Sequence, residues 1–222
     1  MIQEVVAASV SCAEALGDTS DAALHPVEER AMSRALPGRR AEFTTGRHCA
    51  RRALAGLGFT DVAVPRGPDG EPRWPDGVVG SITHTEGYRA AAVARAQQVR
   101  AVGIDAEPNL PLPEGVVDMV ASQEERAALA TLAASRPDVH WDRLLFSAKE
   151  SVYKSWFTLT GTPLWFNDAV LELDADHGTF TARVLRETEP HGTLRGRWIH
   201  AEGRLATGIV VPAGPGKEGG RT

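Results

Sequence analysis

Three carboxylates and a lysine in two distant segments have the types and spacing to bind a divalent cation together with a polyphosphate. Asp105 and Glu107 lie two residues apart, and Glu150 lies four residues before Lys154. Residues two apart share a face of a strand, and residues four apart share a face of a helix. Mg²⁺ prefers one or two carboxylates, waters and phosphate oxygens. The pattern therefore predicts a strand and a helix that together carry a metal site and a phosphate-binding lysine.

Each pair also has a simpler interpretation. An isolated Asp-x-Glu is most often an exposed pair on an edge strand, and a helical Glu–Lys pair is most often a surface pair that contributes about 0.3–0.5 kcal/mol. However, adjacent carboxylates repel each other unless a cation lies between them. Aromatic side chains also flank Glu150 opposite the apolar stripe of its helix, so we expect the helix to be buried between layers. These aromatic residues are Phe146, Tyr153 and Phe157.

A second group of residues suits phosphate oxygens. Ser81, Thr83 and His84 end a predicted strand, and hydroxyl and imidazole groups form hydrogen bonds with phosphate. A structural histidine is the alternative at this position. The chain has 24 basic residues, of which only three are lysines, and two of these, Lys149 and Lys154, lie close together. Because lysine is a compact point charge, its local enrichment favours a phosphate site, although two solvated lysines remain the alternative.

Arginines are concentrated in the predicted helix 39–57. The spacing of Arg39, Arg47 and Arg51 places them on one ridge that can hold a phosphate monoester bidentately. A solvated basic face is the alternative. Arg66 begins a turn-rich loop at 66–77 and adds a further cation.

Hydrophobic periodicity and turn residues predict two similar α+β halves that meet near residue 100. Ser122 and Glu125 form a capping box that begins one helix. The predicted helices are 26–36, 39–57, 122–134 and 142–159, and the predicted strands are 62–65, 78–84, 88–95, 99–106, 168–174, 178–185, 194–200 and 205–211. The expected division is a lobe at 1–100, a lobe at 101–212 and a disordered tail at 213–222.

Composition excludes several classes of function. A net charge of −5 gives no electrostatic basis for nucleic-acid binding. Cys12 and Cys49 are too few for a disulfide framework and fit a reducing compartment. The N-terminus does not read as a signal peptide, and no apolar stretch is long enough to cross a membrane. We therefore expect a cytoplasmic protein without a membrane span.

Taken in order, these motifs resemble the 4′-phosphopantetheinyl transferases of the larger, monomeric, two-lobed class, especially actinobacterial ones that serve polyketide and nonribosomal peptide pathways. The matching segments are 42–51, 70–75, 80–84, 102–107 and 141–156. Each segment alone is moderately specific, but their order is highly specific. The resemblance implies an α+β fold of two pseudo-symmetric lobes, with antiparallel-rich sheets, flanking helices and a coenzyme A cleft between the lobes.

The resemblance also implies roles for individual residues. Mg²⁺, with Mn²⁺ as the alternative, would be held by Asp105, Glu107 and Glu150, while Ala106 would leave room for a water in the metal shell. The residues that the resemblance assigns to coenzyme A are Arg39, Arg47, Arg66, Gly67, Pro68, Asp69, Thr83, His84, Asp105, Glu150 and Lys154. Lys149 is a weaker candidate.

The implied reaction transfers 4′-phosphopantetheine from coenzyme A to a serine of an apo acyl or peptidyl carrier protein of a fatty acid, polyketide or nonribosomal peptide synthase. Adenosine 3′,5′-bisphosphate leaves. Glu150 is the expected base, acting directly or through a metal-bound water, and Lys154 and His84 would stabilise the developing negative charge. The carrier is expected to dock beside 112–125, through Leu112, Val116, Val117 and Met119. The enzyme is expected to act as a monomer.

The 66–77 loop departs from the family pattern. Many relatives have a lysine before the loop proline, where this chain has Glu71 before Pro72, and Asp69 lies where a basic residue is expected. Fewer phosphate contacts from this loop are therefore expected, and Arg66 or Arg73 would compensate.

Two other functions would use the same residues. A magnesium-dependent pyrophosphohydrolase of coenzyme A or nucleotides would use water as the nucleophile. A non-catalytic module would bind coenzyme A or a carrier protein without transfer.

Overall fold

The computed structural model describes residues 1–186 and 192–214, so the predicted tail lies outside the described residues from position 215 onward. The first half of the chain forms a three-stranded antiparallel sheet with one long helix. Its elements are α1 (Ile2–Val5), β1 (Ser11–Leu16), α2 (Pro26–Glu29), a 3₁₀ turn (Arg30–Met32), α3 (Pro37–Ala55), β2 (Val78–Thr85) and β3 (Tyr88–Arg95). The strand order is β1-β3-β2.

Strand β1 is absent from the sequence predictions. Its residues, Ser11–Leu16, pair antiparallel with β3, from Ser11 opposite Val93 to Leu16 opposite Tyr88. The segment is dominated by small residues, which have little intrinsic preference for strands. Its conformation is therefore determined by the partner strand and by α3, since the Ser11 hydroxyl donates to the carbonyl of Ala53 at 2.8 Å.

The predicted strand at 62–65 is wrong, because this segment has no regular strand structure. Val64 instead connects two helices through its backbone. Its N–H donates to Glu28 Oε1 at 2.7 Å, and its carbonyl accepts from Arg47 Nε at 2.6 Å. Since these side chains satisfy both backbone groups, no partner strand is required.

The second half forms a five-stranded antiparallel sheet with the strand order β4-β8-β7-β6-β5. Its elements are β4 (Val99–Pro108), α4 (Val116–Val120), α5 (Gln123–Ser135), α6 (Trp141–Thr160), a 3₁₀ turn (Phe166–Asp168), β5 (Ala169–Asp174), β6 (Thr179–Val184), β7 (Thr193–Ala201) and β8 (Arg204–Pro212). The capping box of Ser122 and Glu125 begins α5 as expected. The α+β class with antiparallel sheets and flanking helices is thereby confirmed, whereas the lobe boundary at residue 100 stays a prediction.

Two side chains of β2 join the two sheets. Ser81 Oγ accepts a hydrogen bond from the N–H of Ile104 at 3.1 Å, and Thr83 Oγ1 accepts one from the N–H of Ala106 at 3.0 Å. Both donors belong to β4, which lies in the other sheet. Hydroxyl groups thus replace the usual backbone ladder at the boundary between the sheets, and they fix β4 against β2.

Helix α6 lies unusually close to β4. A Cβ atom on Gly103 would lie 2.0 Å from the carbonyl oxygen of Ser151, so only glycine fits there. Next to this contact, Ser151 Oγ lies 2.7 Å from Thr207 Oγ1 of β8. The close approach brings the side chains of α6 within reach of the acidic end of β4. Within the described ranges, no helix combines the length and the apolar character that a membrane crossing requires.

Candidate active site

Asp105 is a buried carboxylate at the meeting point of β2, β4 and α6, with 5 % of its surface exposed. Its Oδ1 atom accepts from Thr83 Oγ1 at 3.1 Å and from Lys154 Nζ at 2.7 Å. Its Oδ2 atom is buried and has no hydrogen-bond partner among the described residues. An unpartnered buried carboxylate oxygen is costly, and a cation that binds it would remove this cost.

Lys154 reaches Asp105 from α6 and keeps one donor available. Its ammonium group donates to Asp105 Oδ1 and to the carbonyl of Ile104 at 3.0 Å. A lysine ammonium group has three N–H bonds, so two of them are used within the described part of the chain. The side chain is 24 % exposed, and the third N–H can therefore reach a ligand in the cleft.

Glu107 lies on the same strand as Asp105 and forms an ion pair with Arg143. Arg143 NH1 lies 3.0 Å from Glu107 Oε2, and the other guanidinium nitrogens donate to the carbonyls of Leu110 and Pro111. Burial, and then the negative charge of Asp105, raise the pKa of Glu107 to about 7 despite this arginine. The two carboxylates therefore repel each other in a way that a bound cation would relieve. Sequence reasoning missed Arg143.

Glu150 lies on α6, close enough to Lys154 and Asp105 for their charges to affect its pKa. Its carboxylate forms no hydrogen bond to any residue in 1–186 or 192–214. Burial raises the pKa of Glu150, and the charge of Asp105 raises it further, whereas Lys154 lowers it. Glu150 is therefore a carboxylate with proton affinity above the ordinary value and with free oxygens, which suits either a metal ligand or a base.

The three carboxylates do not form a ready-made metal cluster. In the described residues, no group of three or more His, Cys, Asp and Glu side chains has a geometry that could hold a metal ion. Two of the three carboxylates are instead in ion pairs, Asp105 with Lys154 and Glu107 with Arg143. The metal assignment of these residues stays a prediction. Ala106 is fully buried in an apolar cluster with Ile104, and its N–H is bonded to Thr83.

Thr83 and His84 differ in their surroundings although they are adjacent. The hydroxyl of Thr83 is buried and already bonded to Asp105 and to Ala106, so the structure places it behind the carboxylate and not in the cleft. His84 is partly exposed, and its Nε2 lies 2.8 Å from Arg39 NH1. Because arginine only donates, Nε2 accepts and the ring is neutral in this arrangement. Burial lowers the pKa of His84, and the charge of Arg39 lowers it further.

The arginines of α3 do not form one free ridge. Arg47 is buried, with its guanidinium 4.1 Å above the ring of Phe43, and burial lowers the pKa of Arg47 to about 10. Arg51 NH1 lies 3.0 Å from Oε2 of the fully buried Glu28. Arg51 is therefore part of the fold, whereas Arg39 is half-exposed and points toward His84.

The loop that begins at Arg66 is organised by Glu71, which occupies the position where the resemblance led us to expect a lysine. The N–H of Gly67 donates to the Glu71 carbonyl at 2.7 Å, and the N–H of Asp69 donates to Glu71 Oε2 at 3.0 Å. Gly70 has a φ of +94°, which favours glycine. Glu71 therefore holds this loop, including Pro68, in a tight turn.

Two cavities flank Tyr153 on α6, and Asp69 borders both. One, of about 360 Å³, extends between the loop and α6 to Trp74 and Lys154. The other, of about 340 Å³, is mostly apolar and reaches Glu150. Together they form a cleft along α6 that is bordered by Glu150 and Lys154 and has room for an extended ligand.

Lys149, the second lysine of α6, borders the apolar cavity, but its ammonium group is bonded within the fold. Its ammonium group donates to Glu125 Oε2 at 2.9 Å, to the Phe166 carbonyl at 3.0 Å and to the Ala169 carbonyl at 3.1 Å. Only 4 % of the residue is exposed. All three N–H bonds are used, so Lys149 joins α5, α6 and β5.

Comparisons with known proteins agree on one family. A family model described as "4'-phosphopantetheinyl transferase N-terminal domain" matches residues 27–94, and one described as "4'-phosphopantetheinyl transferase superfamily" matches residues 101–209. The chain is 54% identical over 202 residues to 4'-phosphopantetheinyl transferase Svp of Streptomyces mobaraensis, covering 88% of this chain and 82% of the relative. It is 44% identical to Npt of Nocardia iowensis, over 95% of this chain and 99% of the relative. It is 46% identical to PptT of Mycobacterium tuberculosis, over 84% and 85% respectively.

Proposed function

Since the chain belongs to the 4′-phosphopantetheinyl transferase superfamily, we propose that it transfers the 4′-phosphopantetheine group of coenzyme A to a serine of an apo acyl or peptidyl carrier protein. Adenosine 3′,5′-bisphosphate is the second product. The observation that carries the proposal is the cluster at the end of β4. There, the buried and partly unpartnered Asp105 is joined to Lys154 beside the free carboxylate of Glu150.

Coenzyme A occupies the cleft with its adenosine end at α3 and its arm along α6. Arg39 is half-exposed beside His84 and is the cation best placed for the 3′-phosphate. The buried Arg47 adds positive charge at the same end, because it lies close enough to Arg39 and Arg66 for their charges to lower its pKa. Lys154 uses its remaining N–H for an oxygen of the pyrophosphate.

The chemistry of the residues present fits a divalent cation, although the three carboxylates do not form a ready-made cluster in the described residues. The unpartnered Oδ2 of Asp105, the repulsion that raises the pKa of Glu107 and the free oxygens of Glu150 supply hard oxygen donors next to the expected pyrophosphate. Asp105, Glu107 and Glu150 would hold Mg²⁺, with Mn²⁺ as the alternative. When bound, the ion would offset negative charge on the pyrophosphate.

Glu150 takes the proton of the carrier serine while the hydroxyl oxygen of that serine bonds to the β-phosphorus of coenzyme A. The bond from that phosphorus to the bridging oxygen breaks, and the electron pair leaves with the 5′-phosphate of adenosine 3′,5′-bisphosphate. Lys154 stabilises the charge that develops on the leaving group, and His84 contributes at the adenosine end. Positioning and electrostatics supply most of the rate enhancement, as in phosphoryl transfer generally.

The carrier protein docks beside the cleft on segment 112–125. Met119 is 71% exposed there, and the adjacent Leu110 is 57% exposed, while Val117 packs partly against the core.

Both sides of the cleft come from one chain, which supports a monomeric enzyme. Two free cysteines support a reducing, cytoplasmic compartment.

Intact mass spectrometry of an apo carrier protein tests the proposal. Incubation with coenzyme A and Mg²⁺ is expected to add the mass of one phosphopantetheine arm. Glu150→Gln is expected to keep the fold and to lower the transfer rate by about 10²–10⁴-fold, since it removes the base. Release of adenosine 3′,5′-bisphosphate without a carrier would instead identify a hydrolase, and coenzyme A binding without transfer would identify a binding module.

A further inference from the structure

Glu42 of α3 is a carboxylate placed among three basic side chains, next to the Arg39 that the proposed function assigns to the adenosine end of coenzyme A. Its Oε2 atom lies 3.2 Å from Arg39 NH1 and 4.0 Å from His84 Nδ1. Its Oε1 atom lies 3.7 Å from Arg89 NH2. One oxygen thus lies next to the partly exposed Arg39 and His84, and the other lies toward the buried Arg89.

Arg89 provides the fixed end of this arrangement. It is 5 % exposed, and its NH2 lies 3.1 Å from Asp18 Oδ1. Its NH1 donates to the carbonyls of Thr85 and Tyr88. Its Nε is buried and has no hydrogen-bond partner among the described residues. A buried arginine with this many fixed contacts cannot turn toward solvent, and its positive charge attracts Glu42.

Arg39 is the solvent-exposed end of this arrangement. About half of its side chain is exposed, and a free surface arginine loses side-chain entropy when a ligand orders it. Here Glu42 and His84 already hold NH1 from two directions. An arginine that is ordered before the ligand arrives binds a phosphate with a smaller entropic loss.

We propose that Glu42 is a positioning residue that fixes Arg39 over the adenosine end of the cleft and thereby sets the preference for a ligand with a 3′-phosphate monoester. The contacts run from the buried Arg89 through Glu42 to Arg39, so the interior of the first sheet determines where the exposed guanidinium lies. This inference rests on the proposed function for the identity of the ligand.

Calorimetric titration with adenosine 3′,5′-bisphosphate and with adenosine 5′-monophosphate tests the proposal on the full chain. In Glu42→Gln, the dissociation constant of the bisphosphate is expected to rise about tenfold, while that of the monophosphate stays unchanged. Glu29→Gln is the matched control, because Glu29 pairs with the neighbouring Arg40 on the surface, and it is expected to change neither constant.

A double-mutant cycle separates positioning from a general effect on the fold. If Glu42 acts through Arg39, Glu42→Gln causes no further loss in an Arg39→Ala background. Additive losses, an equal loss for both ligands or tighter bisphosphate binding in Glu42→Gln would each overturn the proposal.

Steady-state kinetics gives a second measurement. Glu42→Gln is expected to raise the KM for coenzyme A without changing kcat, and to leave the KM for 3′-dephospho-coenzyme A unchanged. An unchanged KM for coenzyme A overturns the inference and leaves the transferase proposal intact. A wild-type protein that binds the bisphosphate tightly but modifies no carrier overturns the transferase proposal, while the calorimetric cycle still decides the role of Glu42.

Discussion

Two lysines on the same helix, Lys149 and Lys154, occupy opposite kinds of electrostatic environment. Lys149 is almost fully buried, and its three N–H bonds reach Glu125 and two carbonyls. Lys154 is partly exposed and has two partners, one of which is a carboxylate with an unpartnered oxygen. Within the described chain, the pair of Lys149 and Glu125 has all its lysine donors bonded, and we call it the complete pair. The pair of Lys154 and Asp105 has one N–H of the lysine and one carboxylate oxygen without a partner, and we call it the incomplete pair.

The difference indicates how to separate a structural ion pair from a binding site. Glu125 accepts from Lys149, from the N–H of Ser122 and from the N–H of Leu171, so its lone pairs are satisfied by the fold itself. Such a pair adds nothing that a ligand could use. Asp105 is held at one oxygen only, and the cost of its other oxygen is a reason to bind a cation.

Breaking the complete pair should have the largest effect, and the effect should be on stability. Glu125→Gln leaves Lys149 as a buried charge without a counter-ion, so we expect the free energy of unfolding to fall by about 3–5 kcal/mol. Chemical denaturation measures this change. The folded fraction should keep its transfer rate, because the donors of Lys149 are all used within the fold and none is left for a ligand.

The double variant Glu125→Gln with Lys149→Met is the control for that result. It removes both charges and should recover most of the lost stability, since the cost arises from the unpaired charge. If the double variant is as unstable as Glu125→Gln alone, the hydrogen bonds of Glu125 and not the ion pair hold α5 to α6.

Changing the incomplete pair of Asp105 and Lys154 should have little effect on stability and a large effect on the transfer rate. Asp105→Asn keeps the shape and an oxygen that can accept from Lys154 and Thr83, so we expect less than about 1 kcal/mol of change in stability. The transfer rate should fall by about 10²–10³-fold, because the charge that faces the pyrophosphate is lost. Transfer near the wild-type rate would show that Asp105 belongs, like Glu125, to the fold.

The sequence predicted the positions of the elements around this site well, and their contacts less well. The strand with Asp105 and the helix with Lys154 were expected, because alternating and helical apolar patterns are strong there. The ion pair of Lys149 with Glu125 was not expected, although the capping box of Ser122 and Glu125 was recognised. Sequence spacing shows which residues share a face of one element, but it does not show that Glu125 extends past its own helix to α6.

The same limit explains the other differences at the site. Thr83 was expected to bind phosphate, but its hydroxyl faces Asp105 and β4. Arg51 was expected on a free ridge, but it pairs with Glu28 from another helix. In both cases the residue type was informative, and the partner came from an element distant in the chain. Arg143 and Arg89 gave no local signal at all.

The smallest expected effect is a pH dependence confined to the incomplete site. The pKa of Glu107 is raised from 4.5 to about 7. In metal-free protein, the contribution of Glu107 to the free energy of unfolding is therefore fully present below pH 4.5 and decreases as the pH rises toward 7. Glu107→Gln removes this decrease. We therefore expect the variant to be more stable than wild type by about 1 kcal/mol above pH 7, after screening by solvent, and by progressively less at lower pH.

Denaturation curves from pH 4.5 to 8 without divalent cations measure this difference, and Glu29→Gln on the surface is the control. Added Mg²⁺ should reduce the advantage of Glu107→Gln, because a cation near Asp105 favours the ionised form of Glu107 in the wild type. A difference that does not vary with pH would mean that Arg143 compensates the charge of Glu107 completely. In that event the acidic end of β4 would be as complete as the pair of Lys149 and Glu125, and Asp105 alone would distinguish the site.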